Sequence, residues 1–145
     1  MRDAFAGSDV TETKLNISLL RLISFSKLID EANYYSREAY NNGMHPHHLV
    51  QWRNTLKSMY RELISKLKDE ERAEINKLFR LQEKGSVYVF RKTEEGPEKI
   101  VHPKRFHRHW RLLDHIQQKI MILATKKGML ITDKDRDMDF MGTME

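Results

Sequence analysis

Between Lys99 and Arg111 the chain places Lys99, Lys104, Arg105, Arg108 and Arg111, together with His102, His107 and His109, and not a single carboxylate. Fixed cations with no acid beside them neutralise phosphates and release the counterions condensed on a nucleic-acid backbone. Phe106 and Trp110 are interleaved among these cations, and an aromatic face stacks readily on an unpaired base. Their four-residue spacing, however, puts both on one helix face, the face expected to be buried. The charges are therefore the expected binding residues and the two aromatics the expected core. A second basic row, Arg53, Lys57 and Arg61, recurs at every fourth position and so shares one helix face, with Lys66 and Lys68 further along. Such a row can follow a phosphate backbone; the plainer alternative is a solvated face with Glu62 as a partner.

Other chemistries find less support. The histidines are dense at His45-Pro46-His47-His48 and recur at His102, His107, His109 and His115. No i, i+4 histidine pair carries the adjacent glutamate of a zincin, and no cysteine is present to help, so no metal or other cofactor is expected. His45 to His48 read instead as a turn and a helix start. Asp133, Asp135, Asp137 and Asp139 alternate, but the glycine and closing glutamate of a calcium loop are missing from the required places. There is no phosphate-binding loop, dinucleotide fingerprint or nucleophile elbow, and the expectation is a protein that is not an enzyme.

The charge distribution favours a polyanionic partner. The 145 residues carry a net +5; residues 133–145 hold five acids against two bases, a net −3, which leaves +8 on residues 1–132. A basic body with an acidic tail suits nucleic acid, with the tail as a competitor for the same surface. The absence of cysteine fits a reducing compartment. No apolar run approaches membrane-spanning length, since the best candidate is broken by Arg21, Ser24 and Lys27, and the first residues lack the apolar core of a signal peptide. A cytoplasmic protein without membrane contact is expected (host-cell cytoplasm if the chain is phage-encoded).

The elements that would position these residues follow from periodicity. Residues 1–10 are expected to be a flexible lead. Residues 11–132 are expected to form one mainly α domain, and 133–145 an acidic tail. A long helix is predicted from about Glu12 to Asn42, stopped by Asn41-Asn42-Gly43, because glycine tolerates the left-handed conformation needed there. Pro46 opens a second helix whose stripe is Leu49, Trp52, Leu56, Met59/Tyr60, Leu63 and Leu67, and the first helix is its expected partner in a hairpin. Lys68 to Arg72 either continue that helix or cap a new one, with Ile75, Leu78, Phe79 and Gln82 carrying the pattern on. The period then changes: Ser86 to Phe90 and Lys99 to His102 predict a small β-hairpin near 86–102, turning at Glu95-Gly96-Pro97. One hairpin is not stable alone, so it is expected to lean on a helix or a neighbouring subunit. Pro103 opens the last helix, about Lys104 to Lys127, with Phe106, Trp110, Leu113, Ile116/Gln117, Ile120 and Leu123/Ala124 inward and Gly128 as its stop. Phe140 and Met141 are unusual in a solvated tail and are expected to dock on a second copy of the chain.

In its C-terminal third, Trp110, Leu113, Ile120, Lys126/Lys127, Gly128, Ile131, Asp137 and Phe140 follow, without gaps, a spacing that resembles the end of the UvsY family, the recombination mediators of T-even-type phages. Thr13-Lys14-Leu15 and Ser26-Lys27 also look similar, as does the basic second helix at Leu56-Lys57. The resemblance spans about half the chain and does not extend over Ser86 to Val101. It implies an oligomeric, largely helical protein that binds single-stranded DNA and contacts a RecA-like recombinase and a single-strand binding protein, helping the first to displace the second. It also implies a DNA-binding role for Lys57; Arg61 joins it by helix spacing alone. Two other readings remain open at this point: a helical subunit lining nucleic acid in a ribonucleoprotein or virion, and a pure protein–protein interaction module.

Overall fold

The computed structural model of the chain describes the backbone of residues 2–130 and the side chains of residues 19–130. Helix α1 spans Arg2–Glu38, α2 Pro46–Leu63, and a single 3-10 turn, Ile64–Lys66, leads to α3 at Asp69–Glu83. Strands β1, Tyr88–Thr93, and β2, Gly96–Val101, form one antiparallel hairpin, and α4 runs over Pro103–Lys126. The fold is mainly α with a β-hairpin inserted between α3 and α4, as the periodicity predicts. Helix α1 is longer than expected: its helical backbone begins at Arg2 and not near Glu12, covering the stretch expected to be a flexible lead. Once a helix is nucleated each added residue brings one backbone hydrogen bond, so propagation past the strongly periodic region costs little. The acidic tail at 133–145, with Phe140 and Met141, lies outside the described residues.

The helix ends obey local rules. Helix α1 ends at Glu38, four residues before the expected Asn42; a turn follows, in which Asn42 adopts φ 58° and Gly43 φ 128°, so the expected Asn-Gly pair serves the turn and not the last helical residue. The His45 backbone N–H returns to the Ala39 carbonyl at 2.9 Å, which turns the chain into α2 with Pro46 in its first turn. Lys68 to Arg72 cap a new helix. The backbone N–H of Lys68 donates to the Glu71 carboxylate at 2.8 Å, and Asp69, Glu70 and Glu71 stand in the first turn of α3 at the positive end of its dipole.

The core lies where α2 meets α1 on one side and α4 on the other, with α3 packed on α4. Trp52, Leu56, Met59 and Leu63 of α2, Phe25 and Ala32 of α1, Ala39 in the turn that follows it, Ile75 of α3, and Phe106, Leu113, Ile116 and Ile120 of α4 are fully buried. Each large apolar side chain buried in this way contributes about 1.5–3 kcal/mol. A polar chain runs through the middle of this core. The Trp52 indole N–H donates to Gln117 Oε1 at 2.7 Å, and Gln117 Nε2 donates to Asn33 Oδ1 at 2.7 Å. Three helices are thereby held in one register, because a buried donor left without its acceptor costs more than the bond itself contributes.

The hairpin differs in detail from its sequence expectation. Thr93 pairs with Gly96 and Lys92 with Pro97, so the turn is Glu94-Glu95, and Arg91, Lys92 and Thr93 lengthen the first strand. Gly96 takes φ 118°, which places its conformational freedom just after the turn. Among the described residues, the hairpin is hydrogen-bonded to the helices at its base. The His102 backbone N–H reaches the Val87 carbonyl at 2.8 Å, and one Arg105 guanidinium N–H reaches the Tyr88 carbonyl at 3.3 Å.

Candidate nucleic-acid interface

Helix α4 brings part of the predicted basic set together. Pro103 fixes its first turn, and the His102 ring accepts the Arg105 backbone N–H at 3.3 Å, so the cap itself is a histidine. From there Lys104, Arg108, Arg111 and His115 recur at four- and three-residue steps along one face. With His107 they line an open concavity of about 530 Å³ that Leu81 of α3 closes on one side, and no carboxylate is among its lining residues. His107 is held by the Tyr40 hydroxyl, 2.8 Å from its Nδ1. Burial raises the pKa of that hydroxyl, so it stays protonated and neutral.

Within that face the cations are not equivalent. The Arg108 guanidinium donates to the Lys84 carbonyl at 3.0 Å and the Leu81 carbonyl at 3.2 Å, satisfying orphan acceptors at the end of α3. Arg105 is turned toward the Tyr88 carbonyl. Lys104 and Arg111 are exposed and form no ion pair among the described residues. Lys99 stands away from this helix, on the hairpin, with its ammonium 4.0 Å from the centroid of the Tyr88 ring.

The α2 row shares one helix side, as predicted, but that side is turned toward α3. Arg53 donates from Nε to Gln82 Oε1 at 2.7 Å and meets the Glu83 carboxylate at 3.5 Å, and its side chain is only 19% exposed. Its guanidinium also lies 5.6 Å from the Phe79 ring centroid. Lys57 is half-buried beside the same ring, 6.0 Å from its centroid, and Arg61 is exposed in the last turn of α2. The row therefore combines a structural arginine, a partly sheltered lysine and one open arginine.

No family model, curated protein or solved structure matches this chain. Phe106 is fully buried and Trp110 partly so, its indole N–H bonded to the Ser36 carbonyl at 2.9 Å. Both pack with Tyr40, at ring-centroid separations of 5.0 and 5.7 Å, and belong to the core as their spacing predicts.

Sequence reasoning missed a second concavity. About 500 Å³ lies between the start of α2, the end of α3 and the base of the hairpin, with Val50, Arg53, Gln82 and His109 in its walls. Gln82 Nε2 donates to His109 Nδ1 at 3.2 Å, so Arg53, Gln82 and His109 form one chain across its floor. Burial, and then the neighbouring Arg108 cation, hold His109 below its ordinary pKa, against hydrogen bonds to the backbone at Gly85 and Gln82. The only sequence sign of this site was Gln82 on an otherwise apolar stripe. His45, His47 and His48 crowd together with ring centroids 4.0 to 5.7 Å apart. No group of three or more His, Asp or Glu side chains placed to hold a metal ion occurs among the described residues. No described helix is long and apolar enough to cross a membrane.

Proposed function

We propose that this chain is a non-enzymatic accessory protein that binds single-stranded DNA and acts as a recombination mediator, helping to load a RecA-like recombinase onto DNA covered by a single-strand binding protein. The observation that carries the binding part is the carboxylate-free concavity on α4, where Lys104 and Arg111 are open, Arg108 adds a third cation, and His107 and His115 complete the lining. Such a face attracts phosphate regardless of base sequence, so binding is salt-sensitive and weakly selective. Arg61 and Lys57 add further cations on α2, outside that concavity. The resemblance of the C-terminal third to the UvsY family is what directs the reading to single strands and to a recombinase partner.

Assembly into a homo-oligomer belongs to the same reading. Leu19, Leu20 and Ile23 on α1 are 57, 63 and 47% exposed, an apolar cluster that a second copy of the chain would cover. Repeating one modest basic face around an oligomer converts weak contacts into avidity. Two measurements test the proposal. Fluorescence anisotropy with a labelled single strand, a duplex and an RNA, each at low and moderate salt, should show binding that weakens with salt and favours the single strands; no binding to any of the three would leave a protein-interaction module. A pull-down with the chain as bait should retain a RecA-like recombinase; a subunit that only lines nucleic acid in a ribonucleoprotein or virion would not.

A further inference from the structure

Phe90 is 73% exposed, the most exposed of the large apolar side chains described. It sits mid-strand in β1, directly opposite Lys99 of β2. Alternation along the strands puts Tyr88, Phe90 and Lys92 on one face, with Val101, Lys99 and Pro97 across from them. The other face carries Arg91 and Glu98, which neutralise each other at 2.7 Å. The cations on the Phe90 side therefore have no carboxylate on their own face, while both Glu94 and Glu95 are confined to the turn.

The ordinary reason for an aromatic residue in a strand is packing against its cross-strand neighbour. That reason does not fit Phe90. Its neighbour Lys99 directs its ammonium to the Tyr88 ring, 4.0 Å from the centroid, and none of the cation–ring contacts among the described residues involves Phe90. Among the described residues the hairpin is hydrogen-bonded to the helices at its base, through Val87, Tyr88 and the start of α4, and the Phe90 ring is left exposed, with Lys99 across from it and Lys92 two positions along its strand. Residues two apart in a strand are about 7 Å apart, so Phe90 and Lys92 follow one another on the same face of β1. An exposed ring flanked by cations, with no acid on its face, matches a nucleobase between its two phosphates better than an apolar peptide.

We propose that the Phe90 face of the hairpin is a stacking platform for one unpaired base of single-stranded DNA, with Phe90 taking the base and Lys92 and Lys99 its flanking phosphates. The inference rests on the nucleic-acid reading above and adds to it a contact that depends on bases and not only on charge. It would also supply the preference for unpaired strands that the proposed function expects, which Phe106 and Trp110, committed to the core, do not.

The test uses the full chain and two labelled 25-mers of equal charge, oligo(dT) and an abasic phosphodiester, read by fluorescence anisotropy. Phe90→Ala should weaken binding to oligo(dT) by roughly 5- to 150-fold, the range that one base–aromatic stack commands. It should leave binding to the abasic strand and the salt slope unchanged, because no charge is removed. Phe90→Trp should retain binding to oligo(dT), and Phe90→Leu should lose most of what the alanine variant loses. Circular dichroism should match the parent, since the side chain is outside the core. Equal affinity of Phe90→Ala and the parent for oligo(dT) overturns the proposal, and so does an equal loss on both strands. A smaller assembly mass for Phe90→Ala by light scattering without DNA also overturns it, in favour of a contact between copies. A parent chain that binds neither strand removes the nucleic-acid reading itself, whereas intact salt-dependent binding that ignores Phe90 removes only the platform.

Discussion

Replacing both Lys104 and Arg111 with alanine separates free charge from structural charge on α4. Both side chains are exposed, face the same concavity and form no ion pair among the described residues, so their removal leaves the core and the α3 cap intact. Each phosphate neutralised on a single strand contributes a slope of about −0.7 to log K against log salt. Two lost contacts flatten the slope by about 1.4 per bound protomer. Measured from 1 M salt, where counterion release contributes nothing, that difference is about 25-fold in affinity at 0.1 M and about fivefold at 0.3 M. Anisotropy titrations of a labelled 25-mer at four or more salt concentrations give the slope directly. Arg53→Ala is the control: its guanidinium is engaged by Gln82 and Glu83, so the slope should stay at the parent value while stability falls. Arg108→Ala should destabilise α3 through the Leu81 and Lys84 carbonyls and flatten the slope by less than one full contact, because its guanidinium is already shared with them. A double variant that melts like the parent and keeps its salt slope would refute the assignment of this face to phosphate.

Gln117→Leu strands the buried Trp52 N–H and should cost about 1–3 kcal/mol in urea unfolding; adding Trp52→Phe should recover part of that loss, because both polar partners are then gone. If Gln117→Leu alone is as stable as the parent, the polar chain does not hold the helices together. His109 remains neutral in the fold because burial and Arg108 lower its pKa from 6.5, so as pH falls through that value the unfolded chain takes up the proton first and stability is lost. His109→Asn, which keeps an acceptor for Gln82 without a titrating group, should show a shallower fall in melting temperature below about pH 6.5; an unchanged slope would place the acid sensitivity elsewhere. Gly128→Ala meets no atom within 4 Å but forces a side chain to φ 73°, and should cost about 1–2 kcal/mol in thermal unfolding, with a neutral result showing that the end of α4 relaxes.

What could be seen in the sequence and what could not divides along the range of the interactions. Leu49, Trp52, Leu56, Met59 and Leu63 are all buried, because a helix repeats its inward face at a period that the chain itself displays; Leu67, expected on the same helix, is buried in extended backbone beyond the 3-10 turn that follows α2. The Asn42-Gly43 turn and Pro46 start are local backbone chemistry and are equally legible. The hairpin was legible in kind but not in register. Pro97 looked like a turn residue, yet in a two-stranded sheet both strands are edges, and a residue without an N–H is tolerated opposite Lys92. The candidate site was legible as charge but not as availability. Arg53 finds Gln82 29 residues away, and Arg108 finds the end of α3 24 and 27 residues away. No periodicity announces such pairings, because they depend on how the helices cross. The same limit applies to the aromatics. Phe106 and Phe90 both stand among basic residues in the sequence, but one is sealed in the core and the other is open on the hairpin. A basic residue is therefore a candidate for phosphate only after the carbonyls and carboxylates of its own fold have been given their share. On that criterion Lys104, Arg111 and Arg61 stand ahead of Arg53, Arg105 and Arg108, although all six looked alike in the sequence.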